Sequence, residues 1–402
     1  MTVAEINTVT YGSTGKIMMQ IADSARDNGH SVYTYSMKWR KQGKPPAGHK
    51  YYGAFAENAL HKVLGKLTGA DGLVSFFGTL GLINNLKRIN PDIIHLHNLH
   101  GFVINLPMLF GFIKTHNIKT IWTLHDCWSF TGHCPHFDMI GCDKWKTGCH
   151  SCPQYKDYPK SLFDNSKYMY RLKKKWFTDV ENMTIVTPSE WLAGLVKESY
   201  LRDYPVKVIN NGIDLNIFKP TESNFKKIYA LENKYVVLGV AFGWGKRKGL
   251  DVFCELAKRL DDQKYQIVLV GTDDNVDKLL PEKIISIHRT QNQTELAEIY
   301  TAADVFVNPT REENYPTVNM ESVACGTPVI TFNTGGSPEM LDTSCGAVVP
   351  RDNVFEMCNE IIRICETNPF SAEACLKKAQ DFDKNNKYKE YVKLYEDCSH
   401  SS

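Results

Sequence analysis

The sequence predicts an α/β protein made of two doubly wound domains of parallel strands facing a cleft. Three observations carry this. A chain of 402 residues, 43% of them hydrophobic, is longer than one core usually organises. Short apolar runs alternate with longer helical stretches along the whole chain. The runs are continuously apolar rather than alternating, as expected of strands that crossover helices cover on both faces.

The elements follow in order. Residues 1–6 read as the start of a first strand, and 93–96, 120–124 and 184–186 as further strands of the first half. In the second half the runs are 235–240, 266–270, 284–287, 305–307 and 328–332. The pattern loosens into a polar stretch after Pro205, which places the domain boundary near residue 205. The expected division is 1–205, 206–384 and a terminal helix and tail at 385–402, where Tyr388, Tyr391, Leu394 and Tyr395 recur at helical spacing. In sheets of this kind ligands bind outside the carboxyl ends of the strands.

Bulk properties exclude several classes. A net charge of +2 gives no electrostatic reason for a nucleic-acid partner. The first residues lack the basic start and apolar core of a signal peptide, so the expected location is the cytoplasm. The longest apolar stretches, 73–83 and 102–113, fall short of the roughly 20 residues a spanning helix needs. Twelve cysteines without an export signal are expected as reduced thiols or metal ligands. Cys254, Cys325, Cys358, Cys365 and Cys375 stand among apolar neighbours and read as core filler.

The densest chemistry lies after the run at 305–307. Asn308-Pro309-Thr310 leads into Arg311-Glu312-Glu313-Asn314-Tyr315-Pro316, then Thr317-Val318-Asn319-Met320-Glu321, with Gly326-Thr327-Pro328 behind. This spells strand, loop, helix and stop. Glu313 falls before the helix and Glu321 about one and a half turns into it. Amides at about Tyr315 to Val318 and the positive end of the helix dipole would attract a diphosphate, and a carboxylate accepts sugar hydroxyls well. An isolated pair of glutamates at this spacing would be read as solvated charge.

The stretch from Asp304 through Gly326-Thr327-Pro328-Val329-Ile330 to Gly335-Gly336-Ser337-Pro338-Glu339 resembles the nucleotide-sugar half of the GT-B glycosyltransferases related to glycogen synthase and to bacterial lipopolysaccharide, capsule and exopolysaccharide transferases. The resemblance implies two Rossmann-like domains and a retaining transfer from a UDP- or GDP-sugar. It makes Glu313 the carboxylate for the donor sugar and Glu321 the carboxylate for the ribose, with donor contacts at Asn314, Tyr315, Thr317 and Val318. Members often have Gly-Phe-Gly where this chain has Asn314-Tyr315-Pro316.

The same resemblance reaches other positions. In Gly245-Lys246-Arg247-Lys248-Gly249, Lys248 matches a lysine set beside the leaving diphosphate, where a fixed charge lowers the barrier. The family arginine is replaced by Gly243, which leaves Arg247 as the candidate for the second charge. Tyr11-Gly12-Ser13-Thr14-Gly15-Lys16 is similar to a glycine-containing loop at which Gly15 lets backbone approach the ligand. It matches neither a P-loop nor a dinucleotide fingerprint. His125 of Leu124-His125-Asp126 matches a histidine that hydrogen-bonds the donor sugar, and His95, His97 and His100 are weaker candidates. Ser189 and Asn211-Gly212 read equally as hinge or ligand contact.

Residues 125–153 resemble a Cys-rich subgroup similar to colanic acid transferases. Cys134, Cys142, Cys149 and Cys152 read equally as a structural zinc site and as a loop of reduced thiols, because the first pair is spaced more widely than in common zinc modules. No cofactor is expected in catalysis. Asp381-Phe382-Asp383 has the form of a metal-binding Asp-x-Asp but sits in the late helical tail, away from any strand end, so leaving-group charge falls to Lys248 and helix amides. The expected acceptor is a lipid-linked saccharide or oligosaccharide, and residues 59–88, with His61, Lys62, Lys66, Lys87 and Arg88, read equally as an anionic-membrane face and as a buried helix with a basic edge. A nucleotide-sugar 2-epimerase and a non-catalytic sugar-nucleotide-binding protein share this sequence logic.

Overall fold

A computed structural model describes residues 1–38 and 46–400; the last two residues of the expected tail, Ser401 and Ser402, lie outside the described residues. The chain forms two compact units, Met1–Asn210 with Lys387–Ser402, and Asn211–Asn386.

The first unit holds β1 (Thr2–Ile6), β2 (Ser31–Met37), β3 (His49–Tyr52), β4 (Ile93–Leu96), β5 (Lys119–Thr123), β6 (Met183–Thr187) and β7 (Val206–Val208). Their order is β3-β2-β1-β4-β5-β6-β7 and every pairing is parallel. Strand order reverses between β1 and β4, which is where such a sheet opens a crevice. One face packs on an aromatic core including Phe110, Trp122 and Phe177. The other is covered by helix Gly12–Asp27 and by Tyr388, Tyr391 and Tyr395 of helix Lys384–His400.

The second unit holds β8 (Tyr235–Val240), β9 (Tyr265–Val270), β10 (Ile285–Ile287), β11 (Val305–Asn308), β12 (Val329–Phe332) and β13 (Gly346–Val349), in the order β10-β9-β8-β11-β12-β13. All pairings are again parallel, and order reverses between β8 and β11. Strands from Val237, Val305 and Ile330 bury one face against helices Leu250–Arg259 and Val354–Thr367.

Two expectations need correction. The division at 205 would cut β7 from its sheet; Val206–Val208 pair with Ile185–Thr187, so the first unit runs to Asn210. The terminal helix is no separate piece, because its three buried tyrosines complete the first unit's core. Four strands were not foreseen: β2, β3, β7 and β13. In β2 and β3 the polar residues Thr34, Ser36 and His49 are buried and satisfy one another, with both hydroxyls 2.9 and 3.1 Å from the ring nitrogens of His49. The cysteines expected as filler are free thiols, and all but the half-buried Cys254 are buried.

Candidate functional site

At the reversal point of the second sheet, two loops leave the carboxyl ends of neighbouring strands β8 and β11. The first carries a single 3-10 turn, Lys246–Lys248, closed by Gly249 with φ +76°. A Cβ at Gly249 would stand 2.5 Å from the Pro309 carbonyl oxygen, so only glycine lets the two loops touch. Arg311 locks them. Its guanidinium is bidentate to Asp251 at 2.8 Å for each bond, reaches Asp352 at 2.6 Å and donates to the Lys246 carbonyl. Its amide donates to the Arg247 carbonyl at 2.9 Å. The paired carboxylates hold the Arg311 pKa above its ordinary value.

That frame brings Lys248 and Glu313 together as an ion pair from the two loops, each about one-fifth exposed. The loop after β12 packs against the Glu313 backbone. Gly335 has φ +56°, and a Cβ there would lie 1.8 Å from the Glu313 carbonyl oxygen. Beyond Glu313 the chain turns into helix Thr317–Ala324, whose N-cap is Pro316 and whose first turn has no side-chain cap. Thr317 and Val318 are half-buried at this uncapped end. Glu321 lies one turn further on and accepts from the Tyr300 hydroxyl at 3.3 Å. The arrangement offers an ammonium, two carboxylates and a helix N-terminus around one strand-end reversal, a set suited to a diphosphate flanked by sugar hydroxyls.

Several expected residues take other places. The Tyr315 side chain is buried in the apolar core with Met320 and Phe306, which pushes its hydroxyl pKa well up. Asn314 is buried as well. At Gly15 a Cβ would meet the Thr10 carbonyl carbon at 2.5 Å and the Val9 oxygen at 2.9 Å. That glycine therefore permits the loop to fold onto its own helix. Ser189 caps helix Glu190–Glu198, and Gly212 allows backbone contact with Lys384, whose Cα would lie 2.5 Å from an added Cβ. Arg247 contributes its carbonyl to the clamp. The clamp residues Arg311, Asp251 and Asp352 were not singled out, although Arg311 adjoins the glutamate motif.

In the first unit, His125 ends β5's outgoing segment and lines a pocket with His97, His100, Asp126 and Trp128 at the carboxyl ends of β4 and β5. Its Nε2 is 3.1 Å from Nδ1 of His97, and burial pushes its pKa down to about 3, so it is neutral near pH 7. His100 pairs with Asp126 at 2.9 Å; burial pulls against that ring's charge, but the carboxylate prevails and raises its pKa.

The four cysteines Cys134, Cys142, Cys149 and Cys152 line one cavity with Trp145 and His150. The hydrogen bond with Cys134 lowers the Cys152 pKa to about 7 and raises that of Cys134, and Cys149 accepts from the Gly132 amide at 3.1 Å. The donor set suits zinc, but no three of these sulfurs lie within 4.8 Å of one another among the described residues, so a metal would have to draw them inward.

A third surface of the first unit is apolar and exposed. Leu60, Val63 and Leu67 of helix Phe55–Thr68, Phe76 and Phe77 of helix Phe76–Ile89, and Leu162 and Phe163 all face outward, with Phe77 76% exposed. The Leu162 amide donates to the Lys66 carbonyl at 2.9 Å, which sets that loop beside the first helix. No helix among the described residues is long and apolar enough to cross a membrane.

Two all-parallel doubly wound units, with a Lys–Glu pair at the strand reversal of the second, define the GT-B class of glycosyltransferases. The chain belongs to Glycosyltransferase Family 4, whose description matches residues 14–217, and residues 233–367 match the description Glycosyl transferases group 1. It is similar to a putative colanic acid biosynthesis glycosyl transferase, WcaC, of Escherichia coli (strain K12), 26% identical over 82% of this chain and 81% of that protein. It is also 26% identical, over 49% of this chain and 55% of the other, to the N,N'-diacetylbacillosaminyl-diphospho-undecaprenol alpha-1,3-N-acetylgalactosaminyltransferase of Campylobacter jejuni. Among solved structures, Anabaena HepE in complex with UDP-glucose superposes with a TM-score of 0.68 at 15% identity, over 99% of this chain and 100% of that one, a likeness of fold.

Proposed function

We propose that this glycosyltransferase moves a sugar, with retention at the anomeric carbon and without a catalytic metal, from a UDP- or GDP-sugar to a hydroxyl of a lipid-linked saccharide in surface-polysaccharide synthesis. The observation that carries the reading is the Lys248–Glu313 pair at the β8/β11 reversal, held by Arg311 and followed by an uncapped helix. In it Lys248 meets the charge that builds on the leaving diphosphate, helped by amides at Thr317 and Val318. Glu313 accepts from hydroxyls of the donor sugar and Glu321 from the ribose. When the diphosphate enters, it competes with Glu313 for the Lys248 ammonium, which frees the carboxylate for the sugar. Arg247 adds positive charge beside it. No enzyme nucleophile is assigned; the departing phosphate oxygen takes the acceptor proton as the acceptor oxygen attacks from the same face.

Of the first unit's residues, His125 is the one we assign to hydrogen bonding with a sugar hydroxyl. The lipid-linked acceptor is supported by the Campylobacter relative's name and by the exposed apolar face around Phe77, Leu162 and Phe163, with Lys62, Lys66 and Lys160 beside it. That face would lie on an anionic membrane from the cytoplasmic side. The cysteine loop is assigned a structural zinc.

The test is incubation with a panel of UDP- and GDP-sugars, with and without a lipid-linked saccharide, following nucleotide diphosphate, epimerised sugar and glycosylated product. Proton NMR of the new linkage is expected to show the donor's anomeric configuration, at a rate indifferent to added Mg²⁺. Inversion, or epimer without acceptor-dependent product, would overturn the assignment. Binding to anionic liposomes that survives Phe77→Ser with Phe163→Ser would remove the membrane face.

A further inference from the structure

Beneath His125, on the sheet face covered by the C-terminal helix, the first unit buries a layer of polar groups that the transfer reaction does not use. Glu5 of β1, His95 and His97 from β4 and its outgoing end, and Thr123 of β5 are all fully buried. His97 Nδ1 is 3.1 Å from Nε2 of His125, and the two rings are nearly parallel, 14° apart. On its other side, His97 Nε2 faces Glu5 Oε2 at 3.6 Å. Neither of these two atoms has a hydrogen-bond partner, although each is out of contact with solvent. Two unpartnered polar atoms facing each other in a core are costly unless a proton or a water joins them.

We infer that Glu5, His97 and His125 form a buried proton relay, in which Glu5 and His97 are positioning residues that set which ring nitrogen of His125 carries its proton. The inference rests on the reading of His125 as the sugar-contacting histidine of this unit.

The chemistry follows from counting protons. Only one proton fits between His97 Nδ1 and His125 Nε2, so the tautomers of the two neutral rings are coupled. With Glu5 ionised, His97 turns Nε2–H toward the carboxylate, its Nδ1 accepts, and His125 must donate from Nε2, so that its Nδ1 carries no proton. With Glu5 protonated, the carboxyl O–H donates to His97 Nε2, His97 donates from Nδ1, and His125 carries its proton on Nδ1. A proton taken up at His125 Nδ1 thus passes, one bond broken and one formed at each step, to Glu5; the rings end neutral and Glu5 ends as the acid. The two states differ by one proton in total.

The surroundings favour this assignment. His95 completes a tempting Glu5–His95–His97 group of ligand-type atoms within 4.8 Å, but both its nitrogens are engaged, by Tyr395 at 2.6 Å and Thr123 at 2.8 Å. Two remaining atoms are too few to hold a metal. Tyr395 also donates to Glu5 Oε1 at 3.1 Å, and Tyr391 accepts from the Thr123 hydroxyl at 3.4 Å. From helix Gly12–Asp27, Arg26 and Asp23 act on Glu5 with opposite signs. Burial outweighs all of these and raises the Glu5 pKa to about 8, while it lowers both His97 and His125 to about 3. The rings stay neutral across the range in which Glu5 titrates, so the relay has two accessible states near physiological pH.

The experiment is ¹⁵N NMR of the full-length protein labelled at histidine, titrated from pH 6 to 9.5, with His125 and His97 assigned by His125→Gln and His97→Gln. The expected result is a tautomer change at His125, from Nδ1–H to Nε2–H, with a midpoint near 8. Glu5→Gln, whose amide can donate but not ionise, should hold His125 as Nδ1–H throughout. Tyr395→Phe removes a hydrogen bond to the carboxylate and should move the midpoint upward, which keeps the test decisive should Glu5→Gln fail to fold. A His125 tautomer that is constant with pH in the wild type, or a transition that persists unchanged in both variants, would overturn the relay. This readout needs no donor, so it fails or succeeds independently of whether His125→Ala impairs sugar transfer.

Discussion

Gly335→Ala places a methyl group 1.8 Å from the Glu313 carbonyl oxygen. Carbon–oxygen contacts of this kind do not fall below 3.0 Å, so the loop bearing Glu313, or the one bearing Gly335, must move by at least 1.2 Å, the difference between the two. Alanine at φ +56° adds local strain of roughly 1–2 kcal/mol, a loss of a few degrees in Tm. The functional cost should exceed this stability cost. A misplacement of about 1 Å in a positioning group costs on the order of 10²-fold in rate, about 2.7 kcal/mol of barrier. The assay is kcat/KM with whichever nucleotide sugar the wild type turns over, alongside thermal unfolding. A folded Gly335→Ala protein with wild-type kcat/KM would refute the claim that Gly335 holds Glu313 in place.

Three other expectations follow from the same geometry. Arg311→Lys loses the fork to Asp251 and Asp352; because both carboxylates are half exposed, the stability loss should be modest, roughly 1–2 kcal/mol by denaturant unfolding, while kcat/KM falls further as the β8 and β11 loops part. Glu5 holds its proton to about pH 8 when folded but to about 4.5 when unfolded, so the folded state binds more protons between those values and stability falls as pH rises through them. Glu5→Gln should flatten that slope and gain a few kcal/mol at pH 8.5 over the wild type; identical pH profiles would contradict the burial-raised carboxyl. Purified protein should carry one zinc per chain, lost in Cys149→Ser, and metal analysis finding none in the wild type would leave the cysteine loop as thiols only.

The strand rhythm was legible because central parallel strands such as Tyr235–Val240 and, apart from Gln266, Tyr265–Val270 are apolar, and the layers around them fix that composition. The edge and near-edge strands escaped notice where the core admits polar pairs, as with Thr34, Ser36 and His49, or where a strand is three residues long, as in β7. Glu313 and Lys248 could be named from the motif, and they meet in space although 65 residues apart. Their support could not be read in the same way. Arg311 looks like any loop arginine until Asp251 and Asp352 converge on it, and Tyr315, inside the motif, gives its ring to the core. Gly15 shows the converse: a glycine in a suggestive loop serves backbone packing within that loop. Of the Glu5–His97–His125 line, the two histidines could be named at the outgoing ends of β4 and β5, but Glu5 reads as a polar interruption of the first strand until the sheet order sets β1 beside β4.

The central claim is that Lys248 and Glu313 form the donor site. It is tested most directly by donor turnover in Lys248→Met and Glu313→Gln, each checked for wild-type unfolding behaviour. Both variants are expected to lose roughly 10²- to 10³-fold in kcat/KM, as removal of a charge-stabilising group does, with kcat carrying most of the loss for Lys248→Met. Wild-type kcat/KM in both folded variants would contradict the site.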